Sequence, residues 1–218
     1  MSHTGLLRTL LGCLSLAGCH SAAAPEVPRA RVAEQRDVEQ DRYRDEQAGL
    51  AISKPAAWYF ISPSIERARR QSLSLSNARL DSGFRVAPEA LIVIVKEPHA
   101  VGSCSPTVKV QLMSRKRGMS GHDEAHEMVE AMQKLVPSFE LRSEIQDGIL
   151  AGRAATHFDA SLKVKVVNHD FTCDVLTHVW LIPRADDFLI IGMSAPPTGR
   201  DSSNAEFAEI LASVSFNR

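Results

Sequence analysis

This sequence has few aromatic residues and almost no net charge. Aromatics make up 6% of 218 residues, and 25 Lys and Arg stand against 26 Asp and Glu. A nucleic-acid partner would need a strongly basic face, so none is expected. Cysteine is scarce, at four residues, and no Cys-x-x-Cys pair occurs. A thioredoxin-like role therefore has no support. Missing too are the Gly-x-Ser-x-Gly elbow, the Walker loop and the dinucleotide fingerprint Gly-x-Gly-x-x-Gly. No cofactor is expected from any motif. A membrane helix needs about 20 consecutive apolar residues. The longest run beyond the start, Ala90-Leu91-Ile92-Val93-Ile94-Val95, has only the length of a strand.

What is present begins with Arg8 and an apolar stretch from Leu10 to Leu16, broken by Gly12 and Ser15. A positive start, a short apolar middle and a small-residue cleavage site form a secretory signal. Leu16-Ala17-Gly18-Cys19 resembles the bacterial lipoprotein lipobox, in which Cys19 becomes the new N-terminus and carries acyl chains such as palmitate. The alternative is an ordinary signal peptide with a chance cysteine. The expected organisation is a signal over 1–18, a flexible tether over 19–47 and a globular domain over 48–218. The membrane would be reached through lipid, two or more chains being needed for firm anchoring. His20, rather than Asp, follows the cysteine. By analogy with lipoprotein sorting, this favours the outer membrane, with the domain facing the periplasm.

Cys13 leaves with the signal, so Cys104 and Cys173 remain as an even pair in an exported protein. A disulfide is expected, since such bonds persist in oxidising compartments. It would close a loop of roughly 70 residues and contribute about 4 kcal/mol at most. The alternative is two buried thiols.

The tether includes Arg29 to Glu46, dense in charge and poor in apolar residues, and unable to bury enough surface to fold alone. From Ala48 onward short strands are expected at Gly49–Ile52 and Trp58–Phe60, followed by a poorly amphipathic helix capped by Ser62-Pro63. Leu91 to Val95 reads as a strand buried on both faces. Thr107 to Met113 alternates, with Val108, Val110 and Leu112 on one face and Thr107, Lys109 and Gln111 on the other. Asp123 to Val136 is the clearest helix, with Ala125, Met128, Val129, Met132, Leu135 and Val136 in one stripe. The two methionines read as core. Further strands are expected at Phe139–Ile145, Thr156–Val166, Phe171–Ile182 and Phe188–Met193, and a closing helix at Asn204–Ser213. Hairpins with helices between them give an α+β fold with a central antiparallel sheet flanked by helices.

Three clusters attract a chemical reading. His122 and His126, four apart on a helix, have a zinc-ligand spacing, with Glu130 extending the line. Asp123 stands where a His-Glu-x-x-His motif has Glu, and the line faces solvent, so an exposed polar face is preferred. His157, Asp159 and Ser161 share a strand face and have the residue types of a triad. Residues two apart on a strand stand about 7 Å apart, so a solvated sheet face is the simpler reading. Asp170, Asp174 and His178 could join that surface. Arg115-Lys116-Arg117 and Arg67-Arg69-Arg70 are basic clusters that could meet lipid headgroups; ordinary solvated loops are preferred. No catalytic and no metal residue is assigned.

Ala51-Ile52-Ser53-Lys54-Pro55-Ala56-Ala57-Trp58 resembles the entry motif of the PsbP/DcrB-like family, a short strand, Pro and then Trp. Phe207 to Phe216 resembles that family's closing helix and last strand, and Gly152-Arg153-Ala154 its opening of the paired strands. The resemblance covers about residues 48 to 216. It implies a PsbP-like α/β/α sandwich, structural roles for Trp58 and Phe216, and no catalytic centre. The expected function is a lipid-anchored, non-enzymatic envelope accessory protein that binds a protein or envelope component. A periplasmic small-ligand or metal-binding domain is the alternative, and a degenerate hydrolase the third reading.

Overall fold

The computed structural model describes residues 38–39, 41–97, 104–115, 118–197 and 200–217. The signal, Cys19, most of the tether, Lys116 and Arg117 lie outside these residues. The first half comprises β1 (Val38–Glu39), β2 (Arg42–Asp45), β3 (Leu50–Ser53), β4 (Tyr59–Ile61), α1 (Pro63–Ser72), α2 (Ala78–Arg85), β5 (Ile92–Val95) and β6 (Thr107–Ser114). The second comprises α3 (Gly121–Leu135), β7 (Glu140–Leu141), β8 (Gln146–Leu150), β9 (Arg153–Val166), β10 (Phe171–Pro183), β11 (Asp187–Ala195), α4 (Arg200–Ser213) and β12 (Ser215–Phe216).

The expected central antiparallel sheet is present. Its strand order is β4-β5-β6-β11-β10-β9-β7, and β8 also pairs with β9. One face takes the alternate residues Phe158, Ala160, Leu162, Val164 and Val166 of β9, and packs them on Ala125, Met128, Val129 and Met132 of α3 and on Leu80 and Phe84 of α2. The expected methionine stripe is thus core. The other face presents Val108, Val110, Ile182, Leu189, Ile191 and Met193 to Phe207, Ile210 and Val214 of α4. That second layer holds more than a helix. A four-stranded sheet, β1-β2-β3-β12, completes it, with Tyr43, Leu50, Ile52 and Trp58 buried beside α4. Trp58 meets Phe207 edge-on at 5.8 Å between centroids. The small sheet joins the two ends of the domain: Ser215 pairs with Ala51 and Phe216 with Leu50, while the Arg153 guanidinium covers the Phe216 ring at 4.7 Å.

The folded domain therefore starts ahead of Ala48. Val38–Asp45, inside the expected tether, forms a hairpin whose second strand pairs with β3. Tyr43 is the reason: it is fully buried, and its hydroxyl donates to Asp45 at 2.9 Å. Charged neighbours hide that anchor in the sequence.

Two segments differ from expectation in type. The expected strand over Phe139–Ile145 reduces to β7, and Asp147-Gly148 lies inside β8 rather than ending a strand. The turn comes after Leu150. Ala151 (φ 47°) and Gly152 (φ 80°) both take left-handed backbone, as a two-residue I′ hairpin requires. Helix α2, absent from the sequence reading, is capped by Asn77, whose side chain accepts from the amides of Arg79 and Leu80.

The polar face of β6 is buried. Thr107, Lys109 and Gln111 are fully shielded from water. Lys109 Nζ lies 2.8 Å from Glu66 Oε1, and Glu66 Oε2 accepts from Arg70 Nε at 2.8 Å. Arg70 also donates to the carbonyls of Phe84 and Ala87. Helix α1 thus packs through an ionic face, with Glu66 and Arg70 its buried residues, which explains its weak apolar periodicity.

Cys104 and Cys173 are joined by a disulfide, their Cα atoms 6.1 Å apart. It ties the segment before β6 to the start of β10. No described helix is long and apolar enough to cross a membrane.

Candidate functional site

Strands β9 and β10 run side by side in a register that pairs His157 with Trp180, Asp159 with His178, Ser161 with Leu176 and Lys163 with Asp174. These are the outward positions, because the alternate residues fill the core under α3. Helix α4 covers the β11 end of this face, and the β9–β10 end stays half-exposed. The result is a row of cross-strand pairs. His157 stacks on Trp180 with centroids 4.3 Å apart and rings inclined by 26°. His178 meets Trp180 edge-on at 5.9 Å. His178 Nδ1 is hydrogen-bonded to the Asp159 carboxylate, and Lys163 pairs with Asp174 at 3.3 Å.

Gly148 on β8 shapes the border of this patch. A Cβ there would stand 3.4 Å from the His157 ring and 3.8 Å from Trp180, ordinary contact distances, so β8 borders the stacked pair directly. Burial holds the His157 imidazole below its ordinary pKa, and His178 pushes the same way, while Asp159 and Asp147 oppose them. Trp180 Nε1 is buried without a hydrogen-bond partner among the described residues, an indole donor that usually finds one.

The triad residues do not form a triad. A nucleophile must come within hydrogen-bond reach of its base. Ser161 Oγ instead accepts from Arg142 Nε at 2.7 Å, and Asp159 serves His178. Asp174 belongs to the row through Lys163. Asp170 sits in the turn between β9 and β10 at φ 46°, away from the imidazoles. Trp180, Arg142 and Gly148 belong to the patch but carry no sequence signal; only the register of β8, β9 and β10 brings them together.

His122 and His126 do meet. Their Nε2 atoms are 3.2 Å apart on the first turns of α3. Asp123 between them is part of a capping box: its carboxylate accepts from Ser120 Oγ at 2.6 Å and the Ser120 amide at 3.2 Å. Those bonds hold Asp123 below the usual carboxylate range. Glu130 pairs with Lys134 at 3.2 Å. Among the described residues, no three His, Cys, Asp or Glu side chains converge to hold a metal.

Arg115, Arg67 and Arg70 of the basic clusters have structural work. Arg115 donates to the carbonyls of Met119 and Arg184 and stands over the Phe188 ring at 5.4 Å. Arg70 is buried, and Arg67 pairs with Glu89. A cavity of about 330 Å³ opens between α2, the end of α3 and β9, lined by Leu75, Leu80, Val136, Pro137, Lys163 and Lys165 among others.

No protein-family model and no curated protein matches this sequence. Solved structures do resemble it in outline. One is a protein of unknown function, PA94, from Pseudomonas aeruginosa, at 15% identity and a TM-score of 0.45, covering 78% of this chain and 92% of the other. Another is LpqN of Mycobacterium tuberculosis, described as involved in cell envelope biogenesis, at 13% identity and a TM-score of 0.47, covering 78% and 83%. A third is the cyanobacterial PsbP of Synechocystis, at 13% identity and a TM-score of 0.46, covering 86% and 99%. Similarity of this depth transfers no residue role, ligand or partner. The chain's own strand pairing makes it an α+β protein with a central antiparallel sheet, covered on one face by helices and on the other by a helix and a second small sheet.

Proposed function

We propose that this chain is a lipid-anchored accessory protein of the cell envelope that binds a protein or envelope component and performs no chemistry of its own. The anchor is read from Leu16-Ala17-Gly18-Cys19 and the outer membrane from His20. The observation that carries the binding role is the half-exposed row of His157, Trp180 and His178 on β9 and β10. Aromatic side chains with a polar edge are favoured at interfaces, since they bring contact area and a hydrogen-bond donor together. In this row the outward contact area comes from the half-exposed rings, and the polar edges from the His157 and His178 imidazoles.

Cross-linking the full-length lipidated protein in its envelope tests both parts. A partner captured stoichiometrically by the wild type, and lost with Trp180→Ala or His157→Ala while the fold is retained, is the expected result. Equal capture by the variants removes the patch from the interface. Cys19→Ala is expected to release the protein from the membrane fraction, and retention there would overturn the lipid anchor.

A further inference from the structure

We propose that His122 and His126 form a two-imidazole site for a divalent metal of the zinc and copper class. The site does not rest on the proposed accessory role, although Asp147 beside it also faces His157 at the border of the β9–β10 patch.

The geometry starts with the helix. Residues four apart lie on one face, one turn above the other, and α3 places both imidazoles with Nε2 facing Nε2 at 3.2 Å. Two nitrogens bound to one tetrahedral zinc at about 2.0–2.1 Å stand roughly 3.3–3.4 Å apart. The pair is therefore already spaced to share an ion, with no rotamer to change. Without metal, the same contact requires one ring to donate its proton to the other, which works only while at least one ring is neutral.

A second observation concerns the far side of His122. Its Nδ1 is buried and has no hydrogen-bond partner among the described residues. Asp147 Oδ1 stands 3.9 Å away on that side. Asp147 is itself held by Thr156 Oγ1 at 2.7 Å. Metal-bound imidazoles usually direct the other ring N–H at a carboxylate, which fixes the tautomer and strengthens the ligand. Binding at Nε2 puts the proton on Nδ1, pointing towards Asp147. Thr156 also fixes the helix itself: a Cβ on Gly121 would come 2.6 Å from Thr156 Oγ1, so α3 begins hard against β9 and close to β8. The unpaired His122 nitrogen and the nearby carboxylate are explained together.

Two protein ligands leave coordination positions open. Water fills them in the isolated chain, or a ligand supplied by another molecule. Imidazole selects zinc, copper and nickel over magnesium and calcium, which prefer oxygen.

The test is titration of the detergent-solubilised full-length chain with Zn²⁺, read by competition with a chromophoric chelator, with Mg²⁺ as the control. One equivalent of Zn²⁺ is expected, with no Mg²⁺ uptake. His122→Ala and His126→Ala should each weaken binding at least about tenfold, and Asp147→Asn by about tenfold. His126 is exposed and His122 partly exposed on the helix surface, so these variants are expected to keep the far-ultraviolet circular dichroism of the wild type. A further variant, His126→Ala with Glu127→His, keeps the histidine count but moves one ring off the shared face, and should bind as weakly as His126→Ala. Non-saturating uptake, or binding unchanged in both single variants, overturns the site. So does full affinity in the displaced variant.

Discussion

Lys109 is wholly buried, and its ammonium lies 2.8 Å from the Glu66 carboxylate, which also binds Arg70. Breaking a buried pair by removing one partner leaves a charge without compensation, at a cost of about 3–5 kcal/mol. Glu66→Gln is expected to destabilise the domain by that amount in a denaturant melt. A loss below about 1 kcal/mol, the scale of a surface pair, would mean that Lys109 is compensated by groups other than Glu66.

The His157 imidazole titrates below its ordinary value because it is partly buried and stands beside His178. The groups facing it are Trp180, His178, Asp159 and Asp147. The unfolded chain then binds the proton more readily than the folded one, so folding stability falls as pH drops below about 6.5. The His157 ring resonances should titrate with a midpoint below that value. His157→Gln should lessen the loss of stability between neutral and mildly acidic pH. A midpoint above it would show that the carboxylates outweigh burial.

The Cys104–Cys173 bond closes a loop spanning 69 positions. Loops of this size are stabilised by about 4 kcal/mol on the chain-entropy model, and often less in practice. The double variant Cys104→Ser, Cys173→Ser is expected to lose about 2–4 kcal/mol. Intact-mass measurement with and without reductant should show the gain of two hydrogens after full unfolding. No mass change would mean two free thiols.

Ala151 occupies a left-handed conformation at φ 47°. A side chain with a Cβ is strained there by about 1 kcal/mol, and Asn tolerates it best among such residues. Ala151→Asn should raise stability by about 0.5–1 kcal/mol. A lower melting temperature would place an unseen constraint on the β8–β9 turn.

The long paired strands were legible because their two faces meet different surroundings. Phe158, Leu162 and Val164 are buried, while Lys163 and Lys165 are exposed, so period-two alternation survives. The α3 stripe was legible for the same reason. Lys109 defeats such reading, since its polar partners come from α1, distant in the chain, and the alternation records side-chain type rather than burial. Asp147-Gly148 looks like a turn, yet both residues lie inside β8, paired with Thr156 and Ala155 of β9. Tyr43 could not be seen as an anchor because it stands alone between charged neighbours, Arg42 and Arg44. Within the patch, the row of His157 and Asp159 was visible in the sequence, but the stacking of His157 on Trp180 needed the register of two strands.

Strand β3 lies between β2 and β12. One neighbour is made just before it, and the other is Ser215–Phe216, at the far end of the domain. A chain emerging N-terminus first offers β3 only half of its pairing until nearly every residue has been made. Long-range closure of this kind slows folding and leaves an edge exposed meanwhile. The same arrangement makes the domain a check on its own completeness. A product truncated before Ser215 lacks the strand that closes the small sheet and the ring beneath Arg153, and presents an open β3 edge to the proteases that clear unfinished chains.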